Sequence, residues 1–305
     1  MADLILHHYP MSPFSEKIRA MLGYTGLSWQ SVTTREMPPR PMLAQLAGGY
    51  RKIPVAQIGA DIFCDSRTIA AEIAALSNKP ELALENGTSE MQAYVAEVDL
   101  QIFFACMFAA STPTLNRKVW KAMSALDIGR FIWDRINLGR KARVRAVSPR
   151  QAKPRVKQHL ADVEQRLSDN FLFGSVPTHA DFSTYHSLWF VHELAESPLL
   201  RDYPRTLAWM ERMKAFGHGI RTDITAQQAL DAARQCTPRN IPEAHRLDPM
   251  VDRDVSIAPS DYGCEPTDGV LAGATAATWI VARQDPELGT LHLHFPKTGF
   301  TLKPR

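Results

Sequence analysis

The stretch from residue 50 to residue 66 constrains the fold of this chain more than any other. Ile53-Pro54 precedes a short apolar run, Val55 to Ile58, which predicts a strand. A tight turn and a hairpin partner, Ile62 to Cys64, are predicted to follow. Because proline has no N–H and relaxes the trans preference of the preceding peptide bond, the backbone of Ile53 can turn away from the sheet toward a ligand.

An acidic residue and a hydroxyl, Asp65 and Ser66, come next, at the start of a predicted helix. The free N–H groups of a helix start favour a ligand carboxylate, and the Asp65 carboxylate favours a ligand ammonium. An α-amino acid carries both groups. On these residues alone, the alternative that Asp65 and Ser66 only cap the helix stays open.

The beginning of the chain predicts a strand, a turn and a helix with a hydroxyl at the helix mouth. Leu4 to His8 is a short apolar run, and Phe14 to Leu22 has an amphipathic pattern. Ser12, in the turn, can donate a hydrogen bond to an anion. Since a free thiol with a pKa of about 8.5 is mostly protonated at neutral pH, such a donor would raise the reactive thiolate fraction. A plain N-cap role for Ser12 and an activating role for Ser15 both stay open.

Residues 1 to about 80 resemble the thioredoxin-like domain of the glutathione transferase superfamily. The motifs that match are Ser12-Pro13-Phe14 with Lys17-Ile18-Arg19, Lys52-Ile53-Pro54-Val55, and Asp65-Ser66. The resemblance to the serine-type cytosolic branch implies that Ser12 activates the glutathione thiol and that the peptide bond before Pro54 is cis. It also implies that Ile53 pairs with the cysteinyl part and Lys52 with the glycyl carboxylate, while Asp65 and Ser66 hold the γ-glutamyl end.

The chain differs from two other branches of that family. Where the thiol-reductase branch has a cysteine, this chain has Ser12, and it contains no C-x-x-C motif. The tyrosine of a further branch would align with His8, and Tyr9 is one residue out of phase. Disulfide exchange by an enzyme cysteine is therefore not expected.

From about Leu84 the sequence predicts an all-α domain. Two stripes of apolar side chains have helical spacing, and we interpret both as core: Met91, Tyr94, Val95, Val98, Ile102 and Phe103, then Val156, Leu160, Val163 and Leu167. Thr178 and Asp181 have the spacing of a capping box, with Asp where Glu or Gln is usual. They resemble the buried motif that opens the central helix of the family's all-α domain, which implies a structural role.

Composition favours a cytoplasmic protein without metal. The chain has 305 residues, of which 45% are hydrophobic, and no segment approaches the roughly 18 consecutive apolar residues of a membrane span. Its start does not have the pattern of a signal peptide. The four cysteines lack metal-ligand or redox spacing and are interpreted as free thiols: Cys64, Cys106, Cys236 and Cys264.

A basic segment runs from Arg117 to Lys157. Three interpretations of this segment stay open: a solvated surface, a funnel for anionic substrates, and a contact with a nucleic acid or membrane surface. Within the third, this segment is not expected to bind a nucleic acid. Its apolar residues are predicted to be core, with an apolar substrate pocket as the alternative: Trp120, Phe131, Ile132, Trp133 and Ile136.

The last part of the chain, beyond about residue 230, lies outside the region that resembles the family. We predict a glutathione-binding domain over 1–80, an all-α domain over 84–230, a linker or arm over 231–262 and a small β-rich extension over 263–305. Because so small a sheet is marginal alone, we expect it to pack on the all-α domain or on a second subunit. It could cap the active site, support oligomerisation or bind a partner.

The leading functional hypothesis is a glutathione-dependent transferase acting on an electrophilic small molecule, with peroxidase, lyase or isomerase activity at the same site as variants. Glutathione is the implied co-substrate, and the resemblance implies a homodimer. The rival hypothesis is a non-catalytic interaction protein that uses the basic segment and the β-rich extension.

Overall fold

Ten strands form one sheet in the described residues, 3–143 and 147–305 of a computed structural model. The strands are β1 Ile5–His8, β2 Ser28–Thr33, β3 Val55–Ile58, β4 Asp61–Cys64, β5 Ile220–Asp223, β6 Asp254–Pro259, β7 Thr267–Ala274, β8 Thr278–Asp285, β9 Gly289–Pro296 and β10 Phe300–Pro304. Their order across the sheet is β10-β6-β7-β8-β9-β4-β3-β1-β2-β5.

The α-helices of the same residues lie mainly in the middle of the chain. They are α1 Pro13–Thr25, α2 Pro41–Ala47, α3 Ser66–Ser77, α4 Ser89–Glu97, α5 Phe103–Ala109, α6 Pro113–Ala122, α7 Ala125–Lys141, α8 Pro149–Arg166, α9 His179–Trp189, α10 Pro204–Ala215 and α11 Ala226–Arg234. A π-helical turn, Val98–Ile102, joins α4 to α5, and another, Phe190–Leu194, follows α9.

The N-terminal part has the thioredoxin-like arrangement that the sequence predicts. Strands β1 and β2 are parallel and connected by α1, while β3 and β4 form the antiparallel hairpin. Helix α1 begins at Ser12, whose Oγ accepts a hydrogen bond from the Ser15 N–H at 3.2 Å. It ends at Gly26, which has a left-handed φ of 68°. The predicted fold class, with an all-α domain and a β-rich extension, is confirmed.

The all-α domain is organised around the carboxylate of Asp181 at the start of α9. Its Oδ2 accepts hydrogen bonds from the Thr178 N–H at 2.9 Å and from the Thr178 hydroxyl at 3.0 Å. Its Oδ1 accepts from the Leu172 N–H at 2.9 Å and from Trp209 Nε1 at 3.1 Å. One buried carboxylate therefore ties the start of α9 to the preceding loop and to α10, which supports a structural role for Thr178 and Asp181.

The β-rich extension continues the N-terminal sheet. Strand β9 pairs in parallel with β4, with Ile62 opposite Leu293 and Phe63 opposite His294. The extension is thus built onto the N-terminal sheet, which the expectation of packing on the all-α domain or on a second subunit did not include, while Tyr262 also packs against Phe104 of the all-α domain, with the ring centres 5.5 Å apart. The predicted arm over 231–262 also needs correction because it contains β6, in which Val255 and Ile257 are buried in alternation. The extension as the structure has it therefore begins with β6 and comprises residues 254–305. Local periodicity gives no signal for a pairing partner more than 200 residues away in the chain.

Buried apolar side chains alternate with half-buried polar ones along β9. Leu291, Leu293 and Phe295 are buried, and they form one apolar cluster with Val55 and Ile62. Their neighbours on the opposite face are half-buried: Thr290, His292 and His294.

Helices α6 and α7 carry most of the basic segment, and no residue of either helix is buried. The prediction that their apolar residues are core is wrong for four of them, because no element of the described chain covers them. Trp120 is 62% exposed and Trp133 is 69% exposed, and Ile132 and Ile136 are exposed as well. Arg145, counted in the basic segment, lies outside the described residues.

The helices of the described residues differ from membrane-spanning helices in length and composition. No single helix there combines the length and apolar character that a bilayer span requires. The segments Ser89–Ala109 and Pro113–Ala122 meet the criterion only together, across a bend of 96°.

We predict that Leu293→Ala lowers the free energy of unfolding by about 2 to 5 kcal/mol, because it leaves a cavity between the extension and β4. Leu247→Ala, at a leucine that is 82% exposed, is the matched control and should change it by less than about 0.5 kcal/mol. Urea unfolding of both variants measures the difference. If both variants lower the free energy of unfolding by the same small amount, the packing between β4 and β9 contributes little to stability.

Candidate active site

Two adjacent cavities open where the N-terminal domain, the all-α domain and the extension meet. The smaller has a volume of about 110 Å³ and the larger a volume of about 390 Å³. Four residues line both: Phe14, Lys52, Ile53 and Tyr262. The two cavities therefore form one continuous site with a polar end and an apolar end.

The polar end contains the residues predicted around the cis-proline motif. The Ile53–Pro54 peptide bond is cis, and Ile53 lies between the cavities. Asp65 and Ser66, at the start of α3, both line the smaller cavity. Asp65 also accepts a hydrogen bond from the Arg67 N–H at 3.0 Å, so it caps the helix and faces the cavity at the same time. Burial raises the pKa of Asp65, and the nearby Lys52 opposes that shift.

The two candidate hydroxyls, Ser12 and Ser15, have different surroundings. Ser12 lines the larger cavity, and its Oγ is the acceptor in the bond from the Ser15 N–H. That bond leaves the Ser12 hydroxyl proton free of the cap. The Ser15 Oγ is buried without a hydrogen-bond partner in the described chain, and Ser15 lines neither cavity. The geometry favours Ser12 as the hydroxyl that can reach a ligand.

A buried ionic network lies beside the smaller cavity. Lys17 Nζ is 2.8 Å from Asp99 Oδ2, and His186 Nε2 is 3.1 Å from Asp99 Oδ1. Burial raises the pKa of Asp99, but Lys17 and His186 outweigh it and hold that pKa well below its usual range. Burial lowers the pKa of His186.

Asp99 lines the smaller cavity, and sequence reasoning missed it. Asp99 belongs to the π-helical turn between α4 and α5, and such turns are frequent at functional sites. The turn has no local sequence signal.

The extension contributes two further residues that sequence reasoning missed. Asp261 and Tyr262, in the loop between β6 and β7, both line the smaller cavity. Asp261 Oδ1 is 2.7 Å from Lys52 Nζ. The cation that the resemblance assigns to the glycyl carboxylate is thus paired with a carboxylate of the chain itself.

The larger cavity is mainly apolar. Helix α5 supplies four side chains and α7 supplies two more: Phe103, Phe104, Met107, Phe108, Phe131 and Leu138. Trp120 and Trp133 do not line it. Of the aromatic residues in the basic segment, Phe131 therefore fits the alternative of a substrate pocket. This end can hold an apolar small molecule next to Ser12.

The potential metal ligands and the cysteines of residues 3–143 and 147–305 do not come together in groups that could hold a metal ion or in disulfides. No group of three His, Cys, Asp or Glu side chains there could hold a metal ion. All four cysteines are free, and burial raises the pKa of the Cys64 thiol well above its usual range.

Comparisons with known proteins agree with this architecture. Family profiles described as "Glutathione S-transferase, N-terminal domain" and "Glutathione S-transferase, C-terminal domain" match residues 6–81 and 140–212. No curated protein matches the chain. A solved structure of a GST-like protein from Pseudomonas syringae is 32% identical, with a TM-score of 0.75, and the match covers 100% of both chains. The β-rich extension is therefore included in that match.

Two more distant structures share the fold. A glutathione S-transferase from Sinorhizobium meliloti 1021 is 18% identical, with a TM-score of 0.51, over 70% of this chain and 89% of that chain. A glutathione transferase family member from Pseudomonas fluorescens pf-5, solved with two glutathione bound, is 14% identical, with a TM-score of 0.50, over the same shares of the two chains.

We predict that Lys17→Met lowers the free energy of unfolding by about 3 kcal/mol, because it leaves the partly buried Asp99 carboxylate beside only a histidine. Lys214 pairs with Glu193 at 2.9 Å on the surface, so Lys214→Met is the matched control and should cost less than about 1 kcal/mol. Denaturant unfolding at neutral pH gives both values. A cost for Lys17→Met no larger than that of the control would contradict a buried ionic network.

Proposed function

Because the chain belongs to the glutathione S-transferase superfamily, whose members use glutathione as co-substrate, we propose that it is a glutathione-dependent transferase of electrophilic small molecules. One observation carries the proposal: a hydroxyl, a backbone segment beside a cis proline and a helix start with a carboxylate line one continuous site. These are the groups that a thiolate, an extended peptide and an α-amino acid require. The apolar end of the site supports an apolar electrophile.

In the proposed mechanism, glutathione lies with its γ-glutamyl end at Asp65 and Ser66. The backbone of Ile53 pairs with its cysteinyl part, and its sulfur lies near the Ser12 hydroxyl. The thiol loses its proton to solvent, and Ser12 donates a hydrogen bond that stabilises the thiolate. The sulfur then attacks an electrophilic carbon, which forms a carbon–sulfur bond while the leaving group takes the displaced electron pair. Catalysis depends on orientation and on anion stabilisation.

Peroxidase, lyase and isomerase reactions would use the same thiolate. These reactions differ in the second substrate that the sulfur attacks at the apolar end. The side chains of α5 and α7 that line that end would therefore determine which reaction takes place.

We predict that Ser12→Ala lowers kcat/KM for a glutathione conjugation about tenfold to hundredfold, the cost of losing a hydrogen bond to a charged group. It should also raise the pKa of the bound glutathione thiol, which the ultraviolet absorbance of the thiolate reports. Ser15→Ala is the matched control, and it should leave both values nearly unchanged. Loss of activity in Ser15→Ala with unchanged kinetics in Ser12→Ala would transfer the activating role to Ser15.

We predict that Asp65→Asn weakens glutathione binding about tenfold or more, because it removes the negative partner of the ligand ammonium. The amide can still accept from the Arg67 N–H, so the helix cap is kept. With the wild-type protein, affinity should fall as pH falls through the pKa of Asp65, which burial raises above its usual value. The variant should lack that pH dependence. Calorimetric titration measures both.

A matched control for this titration is Asp285→Asn, since Asp285 caps a turn in the extension away from both cavities. An unchanged dissociation constant for Asp65→Asn would remove Asp65 from the binding site.

The rival, an interaction protein, is favoured by the exposed surface of α6 and α7. Apolar side chains there lie among basic ones, a pattern typical of contact surfaces. The homodimer expected of a transferase would cover the same surface, so this surface alone does not separate the two hypotheses. The glutathione titration separates the hypotheses, because an interaction protein has no need to bind the tripeptide.

A further inference from the structure

A loop of the extension enters the proposed glutathione site. It comprises residues 260–266, between β6 and β7. Asp261 and Tyr262 line the smaller cavity opposite Asp65, and Gly263 lines the larger one. The main chain of the loop is held as well, because the Asp261 carbonyl accepts a hydrogen bond from the Arg143 N–H at 2.7 Å.

Lys52 is fully engaged by this loop. Its Nζ lies 2.7 Å from Asp261 Oδ1 and 3.0 Å from Asp261 Oδ2, and 4.1 Å from the centre of the Tyr262 ring. Asp261 Oδ1 also accepts from the Tyr262 N–H at 2.6 Å, which fixes the carboxylate in the loop. The ammonium therefore has an anion and an aromatic face as resident partners.

Of the other cations that line the two cavities in the described residues, Arg51 is paired with carboxylates, while Arg40 and Arg135 make hydrogen bonds to the backbone. Arg51 binds Glu265 of the same loop at 3.0 Å and Asp134 of α7 at 2.6 Å. The Arg40 and Arg135 guanidinium groups donate to backbone carbonyls. The extension thus supplies carboxylates to two of the four cations of the site.

On the basis of the proposed function, we propose that Asp261 is a specificity-determining residue that takes the place of a ligand carboxylate on Lys52. A free glycyl carboxylate brought to Lys52 would meet Asp261 as a like charge within a few ångströms, which costs free energy in a partly buried site. A neutral carboxamide meets no such repulsion. The site therefore selects thiol peptides whose C-terminal end is uncharged over glutathione itself.

The test compares two ligands by calorimetry: glutathione, and the same tripeptide with its glycyl carboxylate converted to a carboxamide. We expect the wild-type protein to bind the amide at least about tenfold more tightly, the scale of one interaction with a charged group. Asp261→Asn should raise the affinity for glutathione at least about tenfold and change that for the amide by less than about threefold. Asn keeps an acceptor for the Tyr262 N–H.

Two further variants serve as controls for this comparison. Asp268→Asn, in β7, removes a carboxylate that pairs with Arg305 at 3.1 Å and lines neither cavity, and it should leave both affinities unchanged. Asp261→Ser also offers an oxygen to the Tyr262 N–H and serves as a second neutral variant, should Asp261→Asn not fold.

The outcomes are distinct. Wild-type affinity for glutathione equal to or above that for the amide would overturn the proposal, and so would a ratio that the neutral variants leave unchanged. Failure of both peptides to bind the wild-type protein and both neutral variants would contradict the proposed function, and this inference with it.

Discussion

The parallel pairing of β9 with β4 is the interaction on which the rest of the architecture depends. Strand β4 would otherwise be a sheet edge with unpaired N–H and C=O groups, and β9 satisfies them over Asp61 to Phe63. Side chains reinforce the joint. His294 Nε2 lies 2.8 Å from Asp61 Oδ1, and Asp61 Oδ2 accepts from the Arg239 N–H at 2.9 Å. The buried carboxylate thus holds both the new strand and the segment that leads to it, and the extension becomes part of the N-terminal sheet.

The position of the extension determines the composition of the site. Since β9 is fixed on β4, the antiparallel meander β6 to β9 is fixed too, with β10 paired to β6 at its outer edge, and the loop over 260–266 reaches Lys52 and Arg51. On the other side, the buried pair of Lys17 and Asp99 ties α1 to the turn before α5. The cavities are therefore walled by three parts of the chain, and carboxylates of the extension and of the all-α domain pair there with cations of the N-terminal part.

The sequence predicts the parts of the fold that local patterns encode. The run from Ile53 to Ser66 gives the hairpin and the helix start, because proline, turn and capping signals act over a few residues. No local pattern predicts that β9 pairs with β4. None predicts that Asp99 lines the cavity either, because its position depends on a π-helical turn. Strand β6 was missed although Val255 and Ile257 alternate as a strand requires, because the surrounding proline and charge indicated a linker. Ile132 and Ile136 of α7 have the spacing of one helical face, but that spacing does not say whether a partner covers them.

The same distinction applies to the site. Motifs identify residues that line a cavity, since Ile53, Asp65 and Ser66 all line the smaller one. They do not give the charge that a ligand meets there. The motif alone indicates that Lys52 is an unpaired cation. In the folded chain Lys52 forms an ion pair with Asp261, which comes from a segment that the motif does not include. An extension that leaves the family's ligand-facing residues in place can thus change the electrostatics of the site by adding a single carboxylate.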